Sequence, residues 1–290
     1  MKRHLLLHRA WVLFLLAVGV LLLVLSLTGD ASAAERYQGT AGLFLSLLAM
    51  AFFAEYVDSS LGMGYGTTLT PLLMLLGFPP LKIVPAILVS EFVTGLLAGI
   101  SHHKAGNVNL KPATRAGRTA LILACCSLVG TVAAVVLAVA LPKTVVSLYI
   151  GLMIFGIGLY ILLTRSGGST FSWRKIIGLG SVAAFNKGIS GGGYGPLVTG
   201  GQILAGVPEK HAVGITSMAE SLVCVTGLVL YLILDTEIAW GLALPLTLGA
   251  VLSVPAAVYT VKVLPENVLR RSIGFATLYL GALTLLRVVL

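Results

Sequence analysis

The sequence predicts an all-α fold: a polytopic transmembrane helical bundle with two inverted repeats, each containing a glycine-interrupted, broken or re-entrant helix pair. Three observations predict it. Hydrophobic residues make up 58% of the 290 residues and charged residues 10%, against about 25% charged in a soluble domain. A glycine stretch, Gly62-Met63-Gly64-Tyr65-Gly66, returns 129 positions later as Gly191-Gly192-Gly193-Tyr194-Gly195. Finally, charged residues collect in short loops, with opposite signs after equivalent apolar runs.

These bounds exclude several classes. At about 20 residues per spanning helix, the chain holds roughly nine to eleven apolar segments and no soluble domain of useful size. The net charge of +9 does not point to nucleic acid, because the basic residues sit in loops, where they orient spans. Cys125, Cys126 and Cys224 lie inside apolar runs without a CxxC pair or metal-ligand spacing. They read as small, buried packing residues. No metal or cofactor is expected. No HExxH, GxSxG or Ser-His arrangement supports an enzyme.

Residues 1–33 form an N-terminal hydrophobic segment. Lys2, Arg3 and Arg9 precede an apolar run, and Ala31-Ser32-Ala33 has the A-x-A form of a signal cleavage site. An extra spanning helix and a signal peptide both fit. The first repeat covers residues 41–163. It opens with the run 41–60, passes the first glycine stretch, and continues with 67–77, which is half a span long and ends at Pro79-Pro80. Runs 83–100, 119–141 and 144–163 follow. The second repeat covers residues 174–290 and restates the pattern: 176–190, the second glycine stretch, the short run 196–206, then 212–234, 238–261 and 272–290.

The recurrence is measurable. At the fixed offset of 129, ten of the 34 positions from Gly62 to Gly95 are identical without a gap. They include Thr70/Thr199, Pro79/Pro208 and Glu91/Glu220. Loop charges give the orientation. Residues 101–118 carry Lys104, Lys111, Arg115 and Arg118, and residues 164–175 carry Arg165, Arg174 and Lys175, all without an acid. Both loops are therefore expected on the cytoplasmic side of a prokaryotic plasma membrane, and the loop with Asp235 and Glu237 outside. The run 83–100 then points inward and its equivalent 212–234 outward. Inverted halves of this kind build many secondary transporters.

Runs 67–77 and 196–206 begin just after the glycines. Their first amides lack intrahelical partners, and the helix dipole adds partial positive charge there. Such N-termini within a membrane suit an anion. Alternatively, the glycines only permit close helix packing. The candidate substrate-binding residues are Ser59, Ser60, Gly62, Gly64, Tyr65, Gly66, Thr67, Thr68, Lys187, Ser190, Gly191, Gly193, Tyr194, Gly195 and Thr199. Lys187 stands well inside an apolar run, and Asp58 occupies the equivalent position of the first repeat. Two roles are open for Lys187: a buried pair with Asp58, or countercharge for a bound anion. Asp58, Glu91 and Glu220 are candidate coupling or structural carboxylates. The glutamates either carry protons or accept hydrogen bonds from the broken backbone. Glu55, one turn before Asp58, can share its site. His102-His103 border the basic loop and read as interfacial.

Those residues carry a family resemblance. Val57-Asp58-Ser59-Ser60-Leu61 leading into the first glycine stretch, Leu76-Gly77-Phe78-Pro79, His102-His103-Lys104-Ala105-Gly106-Asn107-Val108-Asn109 and Ser190 through Pro196 make the chain resemble the TauE/SafE family of sulfite and organosulfonate exporters. The resemblance runs from about Ala41 to the C-terminus. Asn109 stands where the family often has Asp, and the N-terminal segment is a departure. The resemblance implies an integral membrane transporter that exports small anions, sulfite or an organosulfonate, with the lipid bilayer and a small anionic substrate as partners. The alternative is proton-coupled uptake of a small anion.

Overall fold

A computed structural model describes residues 41–163, 172–204, 207–261 and 266–289. The N-terminal segment 1–33 and most of the basic loop 164–175 lie outside the described residues. The described residues form ten helices: α1 (Ala41–Leu61), α2 (Tyr65–Leu75), α3 (Pro80–Lys104), α4 (Arg115–Ala140), α5 (Lys143–Leu163), α6 (Trp173–Ser190), α7 (Tyr194–Leu204), α8 (Glu209–Ile233), α9 (Trp240–Thr260) and α10 (Glu266–Val289). Six of them, α1, α3, α4, α5, α8 and α9, are long and apolar enough to cross a membrane. The chain is thus a multi-pass, all-helical membrane protein.

The helix ends follow local chemistry. Gly62 takes a left-handed φ of 68° and its N–H closes on Asp58 O at 2.6 Å, which stops α1. Gly191 does the same for α6, with φ 71° and a 2.8 Å bond to Lys187 O. Only glycine adopts this conformation without strain. Pro80 occupies the first turn of α3, where the missing N–H is harmless. Thr114 caps α4, its Oγ1 accepting the Gly117 N–H at 3.1 Å. The two 11-residue helices α2 and α7 are about 16 Å long, roughly half a span.

Four pairings dominate the packing: α1 against α9, α4 against α6, α3 against α8, and α5 against α10. One apolar core joins α1, α2, α3 and α9 around Leu69, Leu73, Ile87 and Leu246. Another joins α4, α6, α7 and α8 around Leu123, Ala184, Val198 and Ile215. The outer surface is apolar as well, with Leu45, Leu121, Val182, Leu252 and Phe275 exposed. A soluble protein rarely shows such a surface; lipid contact explains it. A set of polar and charged groups, Glu55, Asp58, Glu91, Lys187 and Glu220 among them, lies inside. Cysteine behaviour differs from the expectation: Cys224 is buried, but Cys125 is exposed and Cys126 half-buried on α4. A thiol is apolar enough for lipid contact, so hydropathy does not separate the two environments.

Candidate functional site

The two glycine stretches meet. A Cβ on Gly66 would overlap the carbonyl of Gly191 and stand 2.8 Å from Gly192 Cα. Reciprocally, a Cβ on Gly195 would lie 2.5 Å from Gly62 O and 2.8 Å from Met63 Cα. Backbone therefore packs on backbone, which no larger residue permits. Two threonines tie the crossing. Thr199 Oγ1 donates to Gly62 O at 2.7 Å, and Thr70 Oγ1 donates to Ser190 O at 2.8 Å. Gly64 and Gly193, also at positive φ, turn the chain into α2 and α7.

The hydroxyls of the site are mostly engaged. Ser59 Oγ donates to Glu55 Oε1 at 2.6 Å, and Ser60 to Tyr56 O. Tyr65 is fully buried, its hydroxyl 2.6 Å from Ser90 Oγ. Ser190 Oγ donates to Asn186 O at 2.6 Å and accepts the Gly192 N–H at 3.1 Å. Thr199 also reaches Thr216 Oγ1 at 2.8 Å, and Gln202 donates to that same oxygen at 2.9 Å. Tyr194 is fully buried, and Thr68 half-buried. Thr67 is buried in the first turn of α2, and its hydroxyl has no hydrogen-bond partner.

The charges are arranged differently from the offset-based pairing. Lys187 Nζ contacts Glu91 and also Glu220, the latter at 2.8 Å. The Asp58–Lys187 pair, one of the two roles open for the lysine, is not formed; Asp58 instead accepts the Tyr65 N–H on Oδ1 at 3.3 Å. The glutamates serve the lysine rather than the broken backbone. The reason is position: α3 and α8 pack side by side and present Glu91 and Glu220 to one point, where the α6 side chain enters. The two carboxylates engage two of the three ammonium donors of the buried lysine.

Three groups carry more of the site than their sequence context suggests. Glu55 is 2% exposed and accepts from both Ser59 and Thr94, the latter at 3.1 Å. His102 is not interfacial: it is fully buried, with Nε2 3.0 Å from Ser59 O and Nδ1 3.0 Å from Asn107 Nδ2. Tyr231 plays the matching part on α8, donating to Gly188 O at 2.9 Å. Tyr231 stands 129 positions after His102, and Gly188 the same distance after Ser59. An identity count passes over them because histidine and tyrosine differ; a search for polar residues at equivalent positions finds them. Tyr231→Phe removes one buried hydrogen bond and is expected to cost about 1 kcal/mol. The unfolding midpoint of the detergent-solubilised protein checks this, and an unchanged midpoint counts against it.

The comparisons agree with one another. The family profile described as sulfite exporter TauE/SafE matches residues 47–284. The chain is similar to the "Probable membrane transporter protein YtnM" of Bacillus subtilis (strain 168), at 27% identity over 247 residues, covering 80% of this chain and 79% of that protein. No solved structure matches.

Proposed function

The chain belongs to the TauE/SafE family of membrane transporters, and from that premise we propose that it exports a small anion, sulfite or an organosulfonate, across a prokaryotic plasma membrane. It works as a carrier, not as an enzyme. The observation that carries the reading is the crossing itself, where the first turns of α2 and α7 meet across two glycine stretches. Helix N-termini offer unpaired amides and partial positive charge to an anion. Lys187 enters as part of an ion triad at the same centre.

The carrier architecture we propose is a pair of inverted halves, 41–163 and 174–290, with loops 101–118 and 164–175 cytoplasmic. Support comes from equivalences at the 129 offset. The contact of Gly66 with Gly191 is matched by that of Gly195 with Gly62, and the pair His102–Ser59 by Tyr231–Gly188. Positive φ recurs at Gly62 and Gly191, at Gly64 and Gly193, and at Gly106 and Asp235. The packing α1 on α9 corresponds to α6 on α4, while α3–α8 and α5–α10 map onto themselves. Repeats of this kind place the substrate between the halves and alternate its access by rocking one against the other. Outward movement of negative charge from a negative-inside cell gains ~2.3 kcal/mol per charge per 100 mV, which favours export.

Flux in proteoliposomes tests the function. Saturable movement of sulfite or a sulfonate, accelerated by the same anion on the far side, is the expected result. Single-channel current would make the protein a pore, and absence of flux for sulfite and every sulfonate tried would remove the substrate assignment.

A further inference from the structure

This inference rests on the anion-site reading and concerns its charge. Among the described residues, four buried carboxylates, Glu55, Asp58, Glu91 and Glu220, face a single buried lysine. Glu91 and Glu220 share Lys187, and Glu55 is held by the hydroxyls of Ser59 and Thr94. Asp58 does something different. Its Oδ1 accepts the N–H of Tyr65, the first residue of α2. A carboxylate there occupies the partial positive charge that would draw a substrate anion. In the same turn, Thr67 is 1% exposed and its hydroxyl has no partner. Buried hydroxyls without partners are rare and costly. The turn therefore holds one filled and one unfilled position for an acceptor.

We propose that Asp58 is a built-in anion which the substrate displaces, and that the displaced carboxylate takes up a proton, so that one proton enters the site with each anion. The proton comes from the buffered solvent, whose acid form is left one proton poorer, and binds a carboxylate oxygen of Asp58. The bond from Tyr65 N–H to Oδ1 breaks, and Tyr65 N–H and Thr67 O–H donate to the arriving anion instead. Release reverses both steps. The groups around Asp58 make proton uptake necessary. They are Glu55 on its own helix, Tyr65 on α2, Lys187 on α6, and Glu220 and Cys224 on α8; from α3, Glu91 stands behind Lys187 and His102 on the carbonyl of the adjoining Ser59. The lone cation among them is already outnumbered by the two carboxylates that bind it, so an anion arriving beside an ionised Asp58 adds to an uncompensated negative charge and is repelled at low dielectric. A monovalent sulfonate then crosses without net charge, so its export runs on its own concentration gradient and gains nothing from the membrane potential. A dianion crosses with one net negative charge and still gains from the membrane potential.

The test is calorimetric titration of the full chain in detergent with methanesulfonate, which stays an anion throughout carboxylate titration. Repeating it in two buffers of different ionisation heat counts protons. The expected result is about one proton taken up per anion bound. Affinity falls by up to about tenfold per pH unit as pH rises through the titration of Asp58. Asp58→Asn is expected to bind with pH-independent affinity and no proton uptake. Wild-type binding without uptake, or uptake that persists in Asp58→Asn, overturns the inference and leaves the anion site standing. If no anion binds the wild type at any pH, the anion-site reading fails and the inference falls with it. Thr67→Val probes the same turn without touching the carboxylate, so the question stays answerable if Asp58→Asn does not fold. It is expected to weaken methanesulfonate about tenfold at unchanged proton uptake per anion, and unchanged affinity overturns the proposal.

Discussion

Gly66→Ala is expected to abolish the folded protein or to lower its stability by about 3 kcal/mol or more. The added methyl overlaps the Gly191 carbonyl and stands 2.8 Å from Gly192 Cα. Overpacking a core usually costs about 1–3 kcal/mol because side chains move aside. Here the receiving atoms are backbone. Gly191 is fixed as the left-handed cap of α6, and Thr70 holds the neighbouring Ser190 carbonyl, so little can yield. Gly195→Ala should behave in the same way, since its methyl meets Gly62 O and Met63 Cα. Gly42→Ala is the control: nothing lies within 4 Å of its added methyl, and in a helix alanine is the better former by up to about 1 kcal/mol. Size-exclusion profiles and unfolding midpoints in detergent decide. A monodisperse Gly66→Ala protein with a wild-type midpoint would mean that the two stretches do not pack backbone to backbone.

Lys187→Met is expected to cost about 3–5 kcal/mol, the range for breaking a buried ion pair by removing one partner. The loss comes from what remains: Glu91 and Glu220, both under 7% exposed as side chains, would face each other without a cation. The defining result is the rescue. Adding Glu91→Gln and Glu220→Gln to Lys187→Met removes the charges left behind and should restore most of the stability, a non-additive response of a coupled cluster. Thermal unfolding of the single and triple variants measures it. A single variant as stable as wild type, or a triple variant no better than the single, would show that the triad does not hold the bundle together.

Much of this was legible in the sequence because the membrane writes simple rules. Hydropathy placed the spans, and the structure moved their ends by only a few residues: α3 starts at Pro80 rather than Ile83 and α4 at Arg115 rather than Thr119. Helices extend past the apolar run into the polar interface, where hydropathy falls silent but backbone hydrogen bonding continues. The glycines marked both helix stops, because a left-handed cap requires them. Lys187, Glu91 and Glu220 stood out as charges in apolar context, since a buried charge is costly enough to be rare.

Partnership was not legible. Positions 129 apart are equivalent under the proposed inverted repeat, and residues so related touch only near its two-fold axis. Glu91 and Glu220 converge because α3 and α8 pack on each other. Asp58 and Lys187 are equivalent as well, yet each finds another partner. His102 looked interfacial because it borders a basic loop, but the last turn of α3 folds it inward onto the Ser59 carbonyl. The sequence by itself determined a multi-pass helical membrane protein, its family, its two glycine stops and its rare buried charges, because spans, caps and desolvation act locally along the chain. Only the tertiary structure decided that the glycines press on each other, that the lysine belongs to two glutamates, and that Asp58 caps α2, because those contacts depend on how helices far apart in the chain cross.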